Sequence, residues 1–204
     1  GQMMLEWGVI ATIALLMGWL GTDYVAAHQI AMTLASVTYM VPLGVSVAAG
    51  VLVAHAVGRG DMPAMQRGAV AGLSMGVGFM AVAGIAFIAV PALLAGPFTD
   101  NDRVLQIAVM LLPIAGVFQI FDGIQVVALG LLRGIGDTRV PVLASIVGYW
   151  CLGLPASLWL AFRTSTGAAG LWWGLVVGLG IVAVFLSVRL YVLARRNHDR
   201  ILID

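Results

Sequence analysis

The sequence predicts an all-α membrane protein, a bundle of six transmembrane helices. Of its 204 residues, 62% are apolar and only 9% are charged, whereas soluble domains carry about 25% charged residues. In lipid, backbone polar groups need internal partners, which leaves helices or a closed barrel. Barrel strands alternate apolar and polar residues over about 10 positions. This chain instead shows six long apolar runs, at about 3–20, 24–53, 69–94, 104–132, 140–162 and 168–193.

The arginine distribution predicts the orientation of the bundle. With six spans, the breaks after the second and fourth spans and the C-terminal tail share one side. That side holds eight arginines, which are Arg59, Arg67, Arg133, Arg139, Arg189, Arg195, Arg196 and Arg200. The other side holds only Arg103 and Arg163. Because cytoplasmic loops carry an excess of Lys and Arg, we expect both ends of the chain to be cytoplasmic.

Asp122 is the strongest candidate for a functional group. It precedes Arg133, at the cytoplasmic end of the fourth span, by eleven residues, which corresponds to about 16 Å and places it near the bilayer midplane. An aspartate there costs about 2.5–3.5 kcal/mol on insertion scales and must face the bundle interior or a water-filled cavity. Gln119 and Gln125 share roughly its helical face. We interpret Asp122 as an ion- or proton-handling group; the alternative is a structural aspartate held by interhelical hydrogen bonds.

Glu6 is the second candidate. It lies seventeen residues, about 25 Å, before the outer break at Asp23. The chain opens without Met inside an apolar run, so we expect a fragment truncated within its first helix, which would place Glu6 deeper. Two carboxylates facing one cavity can exchange a proton or take up a monovalent cation. The alternative is an ordinary interfacial residue.

The second span carries Gln29, Thr33 and Ser36 at helical spacing on one side. They are candidate lining residues of an aqueous path. Ordinary interhelical hydrogen bonding explains the same pattern equally well.

No enzyme chemistry is predicted. Gly72–Gly76 matches the G-x-S-x-G elbow around Ser74, but that motif needs a strand-to-helix turn and this stretch lies within a predicted helix. The chain has no phosphate-binding G-K-[ST] loop, no zinc H-E-x-x-H motif and a single cysteine. We expect no cofactor and no nucleic-acid partner. Glycines at every fourth residue, as at Gly130 and Gly134, predict close helix packing.

Several stretches together resemble the C-terminal half of a multidrug and toxic compound extrusion (MATE) transporter. They are Leu5–Trp7, Ala26–Gln29, Val41–Gly44, Phe121–Val126 and Leu132–Arg139. The resemblance implies a twelve-helix transporter with two six-helix lobes. Residues 1–196 would then be the C-terminal transmembrane lobe, residues 197–204 a cytoplasmic tail, and the N-terminal lobe the missing partner.

The resemblance also implies an activity. Family members are secondary antiporters of the cell membrane, in bacteria the inner membrane, that exchange H⁺ or Na⁺ for cationic amphipathic drugs by alternating access. The family's two intramembrane acids fall on Glu6 and Asp122, a possible Na⁺ site. Some relatives carry a tyrosine where this chain has Phe118, and the missing hydroxyl favours H⁺. Phe118, Gln119 and Gln125 are further candidate lining residues of the cavity. Two alternatives are a lipid-linked oligosaccharide flippase of the same superfamily and a non-transporting membrane scaffold.

Overall fold

The computed structural model describes the backbone of residues 2–164 and 166–201, with the side chains of residues 6, 8–164 and 166–194. These residues form eight α-helices and no strand. The helices are α1 (Gln2–Leu20), α2 (Thr22–Gly58), α3 (Met62–Ala89), α4 (Pro91–Ala95), α5 (Asp102–Gly134), α6 (Arg139–Ser145), α7 (Leu154–Arg163) and α8 (Ala168–Ile201). A 3₁₀ turn, Gly96–Phe98, follows α4, and a π-helical segment, Ile146–Gly153, joins α6 to α7.

The predicted all-α membrane fold is confirmed. Five stretches are long and apolar enough to cross a membrane: α2, α3, α5, the run Arg139–Arg163 and residues Ala168–Ala194 of α8. The described apolar part of α1, Gly8–Leu20, is shorter. The fifth span is therefore not one regular helix but α6, the π-helical segment and α7 in sequence.

The third span lies earlier in the chain than the sequence predicted, because α3 begins at Met62 rather than near Ala69 and ends at Ala89 rather than near Leu94. Pro91 has no backbone N–H and begins the separate short helix α4. Helix starts elsewhere follow from capping side chains. Asp61 Oδ1 accepts a hydrogen bond from the Ala64 backbone N–H at 2.9 Å and begins α3. Asn101 Oδ1 accepts one from the Arg103 backbone N–H at 2.9 Å and begins α5.

Helix α5 lies at the centre of the bundle and packs against α2, α3 and α8. Its glycines allow backbone contact with α2. A Cβ on Gly130 would lie 2.4 Å from the Ser46 carbonyl oxygen, and one on Gly134 would lie 2.4 Å from the Gly50 carbonyl oxygen. The predicted role of these glycines in close helix packing is confirmed, since no larger residue fits at this crossing.

The outer surface of the bundle is apolar. Large hydrophobic side chains are widely exposed, including Trp19 at 79%, Leu15 at 72% and Val82 at 69%. A water-soluble fold would not expose so many of them together. With the five apolar spans, this surface makes the chain an integral membrane protein.

Two predicted features fall at the ends of the chain. The tail at 197–204 lies outside the described side chains, although the backbone of α8 continues to Ile201. The boundary at residue 196 stays a prediction. The side chains of Arg195, Arg196 and Arg200, which entered the orientation argument, also lie outside the described residues.

Candidate functional site

Glu6 from α1 and Asp122 from α5 line the same two adjoining cavities in the middle of the bundle. The larger cavity, about 280 Å³, is walled mainly by apolar side chains such as Leu43 and Phe118. The smaller one, about 40 Å³, has room for a few water molecules. It extends along α5 to Arg133, at the end of that helix. The structure thus brings together the two carboxylates that the sequence singled out.

Glu6 is held by a hydrogen-bond chain that crosses three elements. The Gln125 Nε2 amide on α5 donates to Glu6 Oε1 at 3.0 Å. The Tyr149 hydroxyl on the π-helical segment donates to Gln125 Oε1 at 2.7 Å. Gln125 and Tyr149 are buried, with 3% and 7% of their surface exposed, which shields these bonds from bulk water and strengthens them.

Asp122 is half-buried and has a different environment. Among the described residues, no group donates a hydrogen bond to its carboxylate, which lines both cavities. Glu6 is close enough to act on it electrostatically. The site therefore pairs a carboxylate fixed by an amide, Glu6, with one that is open to an incoming cation or proton.

The other predicted lining residues divide into two groups. Phe118 lines the larger cavity and packs edge-on against Trp172, with ring centroids 5.9 Å apart. Gln125 lines the smaller cavity. Gln119 does not reach either cavity, which corrects that prediction. Its side chain is 1% exposed and accepts a hydrogen bond from Thr38 Oγ1 at 2.5 Å, because its face of α5 packs against α2.

Gln29, Thr33 and Ser36 line an open groove of about 500 Å³ between α1 and α2. The hydroxyls of Thr33 and Ser36 donate to carbonyl oxygens of their own helix, at 2.8 and 2.7 Å. Their donated hydrogen bonds therefore stay within α2, which disfavours the interhelical alternative for these two residues. Ser36 also lines the larger carboxylate cavity, as do Ile10, Met32 and Met40. The groove and the carboxylate cavity therefore meet at this wall.

The family of the chain follows from comparison with known proteins. Residues 1–159 match the family model MatE. The chain belongs to the MatE family. The predicted resemblance is thereby confirmed.

Curated relatives of this MatE chain include the multidrug resistance protein NorM of Burkholderia vietnamiensis, which is 43% identical over 196 residues. A probable multidrug resistance protein NorM of Brucella suis is 42% identical over 189 residues. The matches cover 92% and 90% of this chain but only 42% and 40% of the relatives. The chain thus spans about two fifths of their length.

Solved MATE structures share the fold. The eukaryotic transporter AtDTX14 superimposes with a TM-score of 0.84 at 22% identity, over 96% of this chain and 45% of that one. A MATE transporter in an outward-facing conformation gives 0.86 at 15% identity, over 97% and 44%. The fold is therefore shared at identities as low as 15%, and this chain matches less than half of each neighbour.

Three residues of the MatE cavity were missed by sequence reasoning. Tyr39 lines both cavities, Tyr149 the larger one and Arg133 the end of the smaller one. Tyr39 lies three residues after Ser36 on the same helical face, so its spacing was a usable signal. Tyr149 gave no such signal, because a π-helix changes the angular register of its side chains.

The rejected serine motif is helical in this MatE chain, as expected. Ser74 lies inside α3, and its hydroxyl donates to the Ala71 carbonyl oxygen at 2.9 Å. A nucleophile elbow would need a sharp turn at that position. Within the described part of the chain, no three His, Cys, Asp or Glu side chains gather as a metal site.

Proposed function

We propose that this chain is the C-terminal lobe of a multidrug efflux antiporter, and that Asp122 and Glu6 bind the coupling H⁺ or Na⁺. The observation that carries the proposal is the shared cavity of the two carboxylates. The relatives named multidrug resistance protein NorM support the transport class. The organisms of these relatives are bacteria, and we place the lobe in the bacterial inner membrane, with the arginine-rich breaks on the cytoplasmic side.

The chemistry of the pair favours cation coupling. Two negative charges removed from bulk water repel each other, and each has lost part of its hydration. A proton or a monovalent cation between them relieves both effects. No side chain in the described part of the chain donates to Asp122, so its charge state depends on what enters the cavity. Binding and release of one cation therefore change the electrostatics where α1, α2 and α5 meet.

The residues around the pair suit either cation. Carboxylate and hydroxyl oxygens are ligands that hard cations accept, and Tyr39 adds a hydroxyl to the cavity wall. Phe118 offers none, which favours H⁺ at that position. The Arg133 guanidinium at the far end of the smaller cavity repels cations and would limit leakage towards that end of α5.

Cargo would bind between this lobe and an N-terminal partner lobe, near the bilayer midplane. The open groove beside α2 combines apolar walls with Gln29, Thr33 and Ser36. Such a surface suits amphipathic cations, which need apolar contact and a few polar atoms. Because the groove adjoins the carboxylate cavity at Ser36, cargo and coupling cation would influence each other through one wall.

The proposal is tested with Asp122→Asn in the complete transporter that contains this lobe. The substitution keeps size and removes the charge. We expect loss of H⁺- or Na⁺-driven drug efflux from proteoliposomes, with normal membrane insertion. Asp100→Asn is the matched control, because Asp100 is exposed in a break between helices. Undiminished coupled efflux in Asp122→Asn would overturn the proposal. Movement of lipid-linked sugars would instead support the flippase, and the absence of any flux would support the scaffold.

A further inference from the structure

We propose that Tyr149 is a positioning residue, which fixes the Gln125 amide so that its N–H group faces Glu6 and thereby sets how readily Glu6 takes up a proton. The inference rests on the proposed role of Glu6 in coupling. It assigns a function to a residue that lies on a different span from both carboxylates.

The hydrogen-bond inventory of the three groups carries the first step. A charged carboxylate only accepts hydrogen bonds, whereas the Gln125 amide has a donating and an accepting end. The donating end faces Glu6 Oε1 at 3.0 Å, and the accepting end faces the Tyr149 hydroxyl at 2.7 Å. Turning the amide over would aim its oxygen at Glu6, which is unfavourable while Glu6 is charged. By donating to the amide oxygen, the Tyr149 hydroxyl holds the amide in the orientation that suits the charged carboxylate.

The backbone around Tyr149 explains how the hydroxyl is held in place. The residue lies in the π-helical segment Ile146–Gly153. Pro155, two residues after the segment ends, lacks the N–H that a regular helix would offer to the carbonyl group of Cys151. Such wide turns within helices are frequent at functional sites. Here the turn directs Tyr149 inwards, 7% exposed, towards α5.

Packing on both sides makes the π-helical segment a firm support. Towards α8, a Cβ on Gly178 would lie 2.8 Å from the Gly153 Cα and 2.8 Å from the Gly148 carbonyl oxygen. Towards α1, Trp150 lies 3.1 Å from the position of a Cβ on Gly8, two residues after Glu6. Backbone contact leaves the segment little freedom to shift. The chain of bonds from Tyr149 to Glu6 therefore links the fifth span to α1.

Other ionisable groups face the same cavities and share in their pH response. They are Asp122 and Arg133 on α5 and Tyr39 on α2. The Gln125 amide, by contrast, acts on Glu6 through a hydrogen bond of 3.0 Å. Removing the Tyr149 hydroxyl changes the amide alone and leaves the three charged or phenolic neighbours in place. Its effect on the pH profile is thus separable from theirs.

Tyr149→Phe in the complete transporter tests the inference. The ring is kept, so packing against α5 and α8 is preserved. Charged Glu6 loses a fixed donor, and we expect the half-point of the pH profile of drug efflux to move to higher pH by about one unit. Protons compete for Glu6 whichever cation drives transport, so the profile is measured at constant Na⁺. Tyr24→Phe, which removes a hydroxyl outside the lining of both cavities, should leave the profile unchanged.

A double-variant measurement separates positioning from general damage. Gln125→Leu should shift the profile in the same direction, and adding Tyr149→Phe to it should cause no further shift, because the hydroxyl acts through the amide. An unshifted profile in Tyr149→Phe, or additive shifts in the double variant, would overturn the inference. Loss of coupling in Asp122→Asn together with an unshifted Tyr149→Phe would refute the role of Tyr149 alone. Undiminished coupling in Asp122→Asn would instead refute the proposed function on which this inference rests.

Discussion

The Ser46 hydroxyl on α2 donates a hydrogen bond to the Val126 carbonyl oxygen on α5 at 2.7 Å. Both residues also line the smaller cavity beside Glu6 and Asp122. One helical turn further along α5, Gly130 lets the two backbones come into contact. This interhelical bond and the missing side chain of Gly130 together hold α2 and α5 close beside the carboxylates.

Gly130→Ala should destabilise the lobe. The added Cβ would lie 2.2 Å from Ser46 Oγ and 2.4 Å from the Ser46 carbonyl oxygen, and a backbone oxygen cannot move aside cheaply. We expect a loss of about 1–3 kcal/mol in the free energy of unfolding, as for other overpacked cores. Gly78→Ala on α3 is the control, because its Cβ would meet nothing within 4 Å. It should be neutral or slightly stabilising. Thermal unfolding of both variants in detergent measures the difference, and equal melting temperatures would contradict the packing argument.

Glu6 allows charge and length to be separated. Glu6→Gln keeps the length and can still accept the hydrogen bond from Gln125, but it has no charge for a cation. We expect at least a tenfold fall in cation-driven efflux by the complete transporter. Glu6→Asp keeps the charge one methylene group further from the amide and should retain partial activity. The measurement is drug efflux against an imposed H⁺ or Na⁺ gradient. A Gln variant that is more active than the Asp variant would show that charge at this position is dispensable.

The spans and the central aspartate could be predicted because they depend on local composition. Apolar runs reveal spans, and a charge such as Asp122 stands out in one of them. The position of Glu6 could not be predicted from local composition alone, since its depth depends on how much of α1 precedes it. Its partner Gln125 lies 119 positions away, a contact that no periodicity within one helix indicates.

The irregular backbone of the fifth span could not be predicted from the sequence. Val140–Phe162 was predicted as one apolar helix, and hydropathy does not distinguish an α-helix from a π-helix. The π-helical segment depends on Pro155 and on glycine contacts with α8. The prediction that Gln119 lines the cavity was wrong for a related reason. It shares roughly a face with Asp122 by spacing, but tertiary packing decides which part of that face meets α2 and which part meets the cavity.

Two ion pairs at opposite ends of the bundle should differ in strength. Arg189 Nε lies 2.5 Å from Asp137 Oδ2, with side-chain exposures of 34% and 13%. Arg103 Nε lies 3.2 Å from Asp23 Oδ2, with 73% and 31% exposed. Water screens the second pair more, so double-variant cycles with Asn and Gln should give a coupling energy of about 1 kcal/mol for the first pair. The second should give a few tenths of a kcal/mol at most. Unfolding in detergent supplies these values, and equal coupling at both ends would contradict the burial argument.

The orientation of the lobe can be tested with a matched pair of threonines. Thr138 lies in the arginine-rich break after α5, and Thr166 lies in the break before α8; both are exposed. Cys151 is the only cysteine of this chain, so Cys151→Ser gives a clean background once cysteines elsewhere in the complete transporter are replaced. We expect Thr166→Cys to react with an impermeant maleimide in intact cells whose outer membrane has been made permeable. Thr138→Cys should react only after the inner membrane is opened, because positively charged breaks stay in the cytoplasm. The reverse labelling pattern would place the arginine-rich end outside, and the coupling cation would then approach Asp122 from the opposite side.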